Sequence, residues 1–243
     1  MKKILFLSVI AISCHSSPEV TTPDTKPQKV LVYYKTNGFH HDCIPVGIAA
    51  IQKLGRENNF AADTTLDSSA FTTKNLEQYA TVIFMCTSGN VLNDEQQNVF
   101  QQYIRNGGGF VGIHSAAETE KDWPWYNNLL GAYFKNHAGI QEAVLNTSDS
   151  VFAATKNLPS TWIRSDEWYN FTATHWDQVH VVLTIDESSY TGGENGNYHP
   201  MSWYHEFEGG RSFYTALGHT KVSYSEPLYL QHLLGGIQWA MGK

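Results

Sequence analysis

Histidines and carboxylates gather in the turns of this chain, at spacings that suit proton transfer or metal ligation. His114 lies in Gly107–Ala117, GGGFVGIHSAA, where a glycine loop runs into a short apolar strand and a tight turn of small residues. Such a strand-to-helix elbow exposes its central side chain, and an imidazole there can carry protons near neutral pH or bind a metal. His40-His41-Asp42 ends another apolar run, and Asp42 could serve a substrate or cap the helix that starts at Ile44. Asp166-Glu167-Trp168-Tyr169 sets two carboxylates beside aromatic rings. Acid-base work on a sugar needs a carboxyl group near a stacking ring, and neighbouring residues on a strand face opposite ways. One of the two therefore enters a site, and Glu167 is favoured over Asp166. Asp186-Glu187 reads as a solvated turn because Ser188, Ser189 and Gly192-Gly193 follow.

His137, His199 and His219 are dispersed, unlike a compact zinc motif, so a divalent metal held through histidines stays an open alternative. His15, His175, His180, His205 and His232 read as tether, surface or packing residues. Trp203, Tyr204, Trp123 and Trp125 are candidate sugar platforms, with core packing as the competing role. Cys43 and Cys86 are either two small core residues or one disulfide.

These residues need elements to position them. Lys29–Lys35, Ala80–Cys86 and Phe110–Ile113 are short apolar runs, which predicts buried strands. Ile44–Asn58 and Asn93–Asn106 have helical spacing, the second with Asn93 as cap and Gly107 as stop. Strands alternating with helices predict parallel βαβ units with ligands at the carboxyl ends of the strands. His40, His41, Asp42, Thr87, Ser88 and His114 all follow strand ends and could share one rim. The second half carries more β signal: a strand at Val179–Ile185, a hairpin from Met201–Phe207 and Arg211–Leu217 about Glu208-Gly209-Gly210, then a closing helix at Tyr224–Met241.

The 243 residues suit one domain with a full core, and 42% apolar against 16% charged residues is ordinary globular composition. Aromatics are abundant at 13%. A net charge of −7 without a basic run argues against nucleic acid as a partner. Lys2-Lys3 followed by an apolar core predicts an export signal over residues 1–14. It ends in Ala11-Ile12-Ser13-Cys14, which resembles a bacterial lipobox with Cys14 as the lipidated residue; ordinary secretion is the alternative. His15–Gln28, with three prolines, then reads as a tether, and residues 29–243 as the domain. The expected location is periplasmic or cell-surface, with membrane contact through a lipid anchor alone.

Seven stretches, TNGFHHD, GGGFVGIHSA, WPWYNNLLGAYFKNH, SDEWYNF, DESSYTGG, HPMSWYHEFEGGRSFYTALGHT and LLGGIQWA, occur in order over residues 29–242. Together they resemble the ThuA-like, or trehalose-utilisation, family. The resemblance implies a flavodoxin-like three-layer sandwich of the class I glutamine amidotransferase-like type, with a β-rich C-terminal half. In that superfamily the elbow carries a nucleophilic cysteine as G-x-C-x-G. Here Gly112-Ile113-His114-Ser115-Ala116 puts histidine in its place, and thioester chemistry needs a thiolate, so glutaminase activity is not expected. Family members tend to have Arg-His-Asp where this chain has His40-His41-Asp42, so His40 departs from the pattern.

The resemblance further implies an enzyme of sugar catabolism acting on a glycoside or 3-keto-glycoside, beside a partner oxidoreductase that makes keto-sugars. His114, Glu167, Asp166 and His41 are the expected catalytic residues. Asp42, His40, Tyr169, Trp203, Trp123, His137 and His219 are the expected substrate contacts. A non-catalytic carbohydrate-binding lipoprotein is one alternative, and a secreted glycoside hydrolase with two carboxyl groups roughly 5–10 Å apart is another.

Overall fold

The computed structural model describes residues 27–243; the expected signal, Cys14 and almost all of the tether lie outside the described residues. The apolar runs of the first half become β1 (Gln28–Tyr33), β3 (Thr81–Met85) and β4 (Gly109–Ile113), joined by β2 (Phe60–Thr65). Between them lie α1 (Ile44–Glu57), the short α2 (Thr73–Leu76) and α3 (Asp94–Arg105). The start of α3 follows from its sequence: Asn93 accepts from the Gln96 amide, and Gln96 accepts in return from the Asn93 amide.

The second half supplies α4 (Pro124–Leu130), β5 (Tyr133–His137), β6 (Gln141–Thr147), β7 (Thr161–Asp166) and β8 (Tyr169–Thr172). Then follow β9 (His180–Ile185), β10 (Pro200–Phe207), β11 (Gly210–Thr215) and α5 (Pro227–Ala240). The expected hairpin and closing helix are present. Strands β2, β5, β6, β7 and β8 carry no strong apolar pattern in the sequence; polar residues are interspersed through all of them.

Nine strands form one sheet in the order β2-β1-β3-β4-β11-β10-β9-β6-β7, and β5 pairs with β8 separately. From β2 to β11 every pairing is parallel, and from β11 to β7 every pairing is antiparallel. Helices cover both faces of the parallel part. Phe84 of β3 packs on Phe100 of α3 and Tyr126 of α4, while its neighbour Met85 meets Gly47 of α1. Successive strand residues point to opposite faces, so α1 lies across the sheet from α3 and α4. No helix among the described residues is long and apolar enough to cross a membrane.

The aromatic wealth goes largely into this core. Trp203 is fully buried in β10, its indole N–H donating to Leu130 O, and it packs on Phe171, Trp176 and Tyr214. Trp123 and Trp125 stack on each other, and Trp125 donates to Glu208. Tyr204 stacks on Phe152. The expectation that Trp203 is a sugar platform is therefore corrected, since hydrogen bonding and stacking within the domain consume it; Trp123, partly buried against Trp125 and Tyr126, does not line the pocket beside His41 and Glu167.

His232 of α5 is another buried group, held between Ala154 O and the Thr215 hydroxyl. Burial pulls its imidazole from 6.5 down to about 4. The unfolded chain thus binds a proton near pH 6.5 that the folded chain refuses until near pH 4, so stability falls as pH drops through that window. This one group should make the protein about 2 kcal/mol less stable at pH 5 than at pH 7. Urea unfolding at the two pH values should show that difference shrinking in His232→Gln; an unchanged difference would reject the assignment.

Candidate functional site

The carboxyl ends of β1, β4 and β11 converge, as a parallel sheet with this order requires. His114 ends β4 in the left-handed region, at φ +51°, and opens a tight helical turn at His114–Glu118. A non-glycine residue with that φ is strained, and such strain clusters where a side chain must be presented. Gly112 makes the elbow feasible: a Cβ there would come within 2.9 Å of Leu130 and 3.0 Å of Tyr214. The His114 Nδ1–H donates to Ala216 O at 2.7 Å, just past β11, which fixes the ring's tautomer and aim.

Around His114 stand three more side chains from distant segments. His219, from the loop after β11, places Nδ1 3.0 Å from His114 Nε2. Glu167, between β7 and β8, places Oε2 3.3 Å from His114 Nε2 and 3.1 Å from His219 Nδ1. His41, buried after β1, sits edge-on to both imidazoles with ring centroids 4.8 and 5.1 Å away, its Nδ1 near the Ser115 hydroxyl. His137, at the end of β5, brings Nδ1 to 3.1 Å from the other carboxylate oxygen of Glu167. The Tyr169 ring tilts against His114 at 4.2 Å and closes one side.

These contacts set the charges. Burial opposes ionisation of Glu167, but the imidazoles of His114 and His219 overcome it and hold the carboxyl well below the usual carboxylate range. Burial likewise disfavours a proton on His219, yet its bond to Glu167 and that negative charge raise the imidazole above its ordinary value. His41 shifts the other way. Burial, then the nearness of His114 and His219, pull it down to about 3, so it is a neutral ring.

A pocket of about 410 Å³ opens onto this cluster, lined by Phe39, His41, Glu118, Phe134, His137, Glu167, Tyr169 and His219. That is within the range of small-ligand sites, which run from roughly 300 to 1,000 Å³. Phe39 is exposed over His41, and the Lys121 ammonium lies 5.1 Å from the centre of the Phe134 ring. The walls are thus aromatic and the floor is ionic.

The sequence-derived candidates divide accordingly. His114, His41, Glu167, Tyr169, His137 and His219 come together. Asp166 does not enter the pocket: it is fully buried and accepts from the backbone amides of Glu167, Gly218 and His219. It holds the loop that carries His219, so it is a positioning residue rather than a catalytic one. Asp42 points to solvent and pairs with Lys221 at 2.7 Å, and the helix it could have capped begins at Cys43 without a side-chain cap. His40 turns back to the Thr36 hydroxyl and lines no part of the pocket. The Thr87 and Ser88 hydroxyls bond to Thr119 and Phe39 O, serving the loops.

His199 stands one layer behind, joining Tyr169 O to Glu187. Glu187 is no solvated turn residue, since it also accepts from the amides of Asn195 and Gly196. Cys43 and Cys86 are free buried thiols 3.8 Å apart. Sequence reasoning missed Glu118, Phe39 and Phe134. Glu118 ends the same helical turn that His114 begins, which is a usable signal; Phe39 and Phe134 lie inside TNGFHHD and WPWYNNLLGAYFKNH, where nothing local separates a pocket ring from a core ring.

Sheet order, a strained elbow bearing an imidazole and a pocket at the strand ends define a flavodoxin-type α/β sandwich of the class I glutamine amidotransferase-like kind, with histidine at the elbow. Within that class the chain belongs to the ThuA family, described as trehalose utilisation, whose model matches residues 29–240. A protein of Bacteroides uniformis ATCC 8492 described as ThuA-like superposes with TM-score 0.76 at 24% identity, covering 92% of this chain and 95% of its own. A second such protein, from Parabacteroides merdae ATCC 43184, gives TM-score 0.74 at 24% identity over 90% and 91%. A Thermoplasma acidophilum protein described as part of a GMP synthase shares the fold at TM-score 0.54 and 13% identity, over 89% and 95%. No curated protein matches the chain.

Proposed function

We propose that the protein is an enzyme of sugar catabolism that moves protons beside the carbonyl of a 3-keto-glycoside. The observation that carries this reading is the ionised Glu167 in contact with His219 and His137 on the floor of an aromatic-walled pocket. The family's link to trehalose utilisation points to a glycoside. Residue 114, at the centre of the elbow, is an imidazole and not a thiol or hydroxyl, so the acyl-enzyme chemistry of a cysteine or serine elbow lacks its reagent there.

A ketone acidifies the carbon beside it, and the enzyme need only place a base there and a donor on the carbonyl oxygen. Glu167 itself, held well below the usual range, is a poor match for the base at neutral pH; imidazole as a chemical group is the better-suited proton carrier there. In this reading Glu167 orients His219 and His137, and an imidazole takes the proton from the carbon between the ketone and the anomeric centre. The electron pair left behind forms an enolate. It either expels the glycosidic oxygen from the anomeric carbon, which leaves with a proton, or is reprotonated to give an isomer. Phe39, Phe134 and Tyr169 are the surfaces for the sugar ring.

The test is NMR of product formation by the protein on 3-keto-glucosides and on the parent glycosides. Turnover of the keto-sugars alone is the expected result. Turnover of the parent compounds would favour a conventional hydrolase, for which Glu167 and Glu118 are the carboxylates in the pocket. Sugar binding without any turnover would transfer the reading to a carbohydrate-binding protein.

A further inference from the structure

The three side chains that meet at the pocket floor turn their ligand-type atoms toward one another. His114 Nδ1 faces the carbonyl oxygen of Ala216, which can only accept, so that nitrogen donates and Nε2 is the one aimed into the cluster. Nε2 stands 3.3 Å from Glu167 Oε2 and 3.0 Å from His219 Nδ1.

The spacing says what fits among them. The three atoms form a triangle with edges of 3.0, 3.1 and 3.3 Å. A metal bound at about 2.0–2.1 Å to nitrogen and oxygen donors has neighbouring ligands about 3.0 Å apart in an octahedron and about 3.3 Å apart in a tetrahedron. The triangle is thus one face of a coordination polyhedron, made of two imidazoles and one carboxylate. The outer contacts are those of a metal site as well: His114 gives its other ring N–H to Ala216 O, and the second oxygen of Glu167 meets His137. His41 adds a fourth donor, all four lying within 4.8 Å of one another.

We propose that His114, His219 and Glu167 bind a divalent transition-metal ion, zinc or iron(II) in charge and size, with His41 beside it and the remaining positions open to the pocket. Such an ion would polarise a sugar carbonyl or hydroxyl as a Lewis acid. The site itself stands independently of the keto-glycoside reading. Only the ion's use on a sugar rests on that reading, and then His137, outside the ligand set, is the proton carrier.

The test is titration of chelator-stripped full-length protein with cobalt(II) and zinc(II), followed by calorimetry and by the visible spectrum of the cobalt form. One ion per chain is expected, with the spectrum of a mixed nitrogen and oxygen ligand set. His114→Ala and His219→Ala should each weaken binding by more than about 100-fold, beyond the 10–100-fold cost of losing an outer partner. His40→Ala, at a histidine turned away from the cluster, should bind as the parent does, and circular dichroism of each variant would report its fold. Equal binding in the parent and the folded His114→Ala protein, or no binding tighter than that of a surface histidine, would overturn the proposal and leave a shared proton as the charge at this spot. Metal binding without turnover of keto-sugars would reject the functional reading and keep the site. Full turnover by the stripped protein would keep the functional reading and overturn the ion's use on the sugar, the titration alone deciding the site.

Discussion

Replacing Glu167 with glutamine is expected to lower kcat on a 3-keto-glucoside by roughly 10²–10⁴-fold, the usual worth of positioned acid-base catalysis, with a much smaller change in KM. The amide keeps the shape and the hydrogen-bonding reach of the carboxylate but not its charge. His114, His219 and His137 all meet this one group, within 3.1 to 3.3 Å. Its loss therefore removes the single negative centre that holds three imidazoles in place. The aromatic walls, which would carry most of the sugar's contact area, are untouched. Steady-state kinetics of Glu167→Gln and Glu167→Asp would check this, the aspartate variant keeping the charge at a shorter reach and recovering part of the rate. A glutamine variant within threefold of the parent would remove Glu167 from the chemistry.

Asp166→Ala should act on stability instead, by roughly 3–5 kcal/mol, because it strands a buried cation. The Arg164 guanidinium is 6% exposed as a residue and lies 3.2 Å from both Asp166 and Glu226, with Ser223 at 2.8 Å. The rings of Trp162 and Tyr229 flank it at 4.9 and 5.1 Å, and its Nε and Nη1 have no partner. With so few groups to spare, loss of Asp166 leaves Arg164 only the partly exposed Glu226 as a counter-charge and adds to its unmet donors. It also frees the amides of Gly218 and His219. For a domain of this size the melting temperature should fall by about 6–20 °C. Exchanging the pair together, Arg164→Met with Asp166→Leu, should recover much of that loss, since apolar residues of similar volume often replace buried ion pairs at no cost. A thermal melt of Asp166→Ala within about 2 °C of the parent would contradict the account.

Local order was legible in the chain before it folded. Apolar runs and helical spacing located β1, β3, β4, β9, the β10–β11 hairpin, α1, α3 and α5, because strand and helix periods are written in neighbouring residues. The elbow at His114 was readable because glycine and small residues in that order leave the chain few other turns. The ordered motifs placed the family. Adjacent carboxylates on extended chain cannot share a face, which favoured Glu167, but Asp166 stayed among the expected catalytic residues until the amides of Gly218 and His219 were seen to occupy it.

Whatever depends on partners remote in sequence was settled only by folding. His41, His114, Glu167 and His219 are drawn together from residues spread over most of the domain, and nothing in their spacing announces the triangle they form. Whether a tryptophan packs or presents a surface depends on what covers it, and Leu130, Tyr214 and Phe171 cover Trp203. Asp42 looked toward a substrate until Lys221, from beyond β11, took it as an ion-pair partner. Burial and proximity are properties of the folded chain, and it is these that hold Glu167 ionised, keep His41 neutral and make one pocket floor from four separate turns.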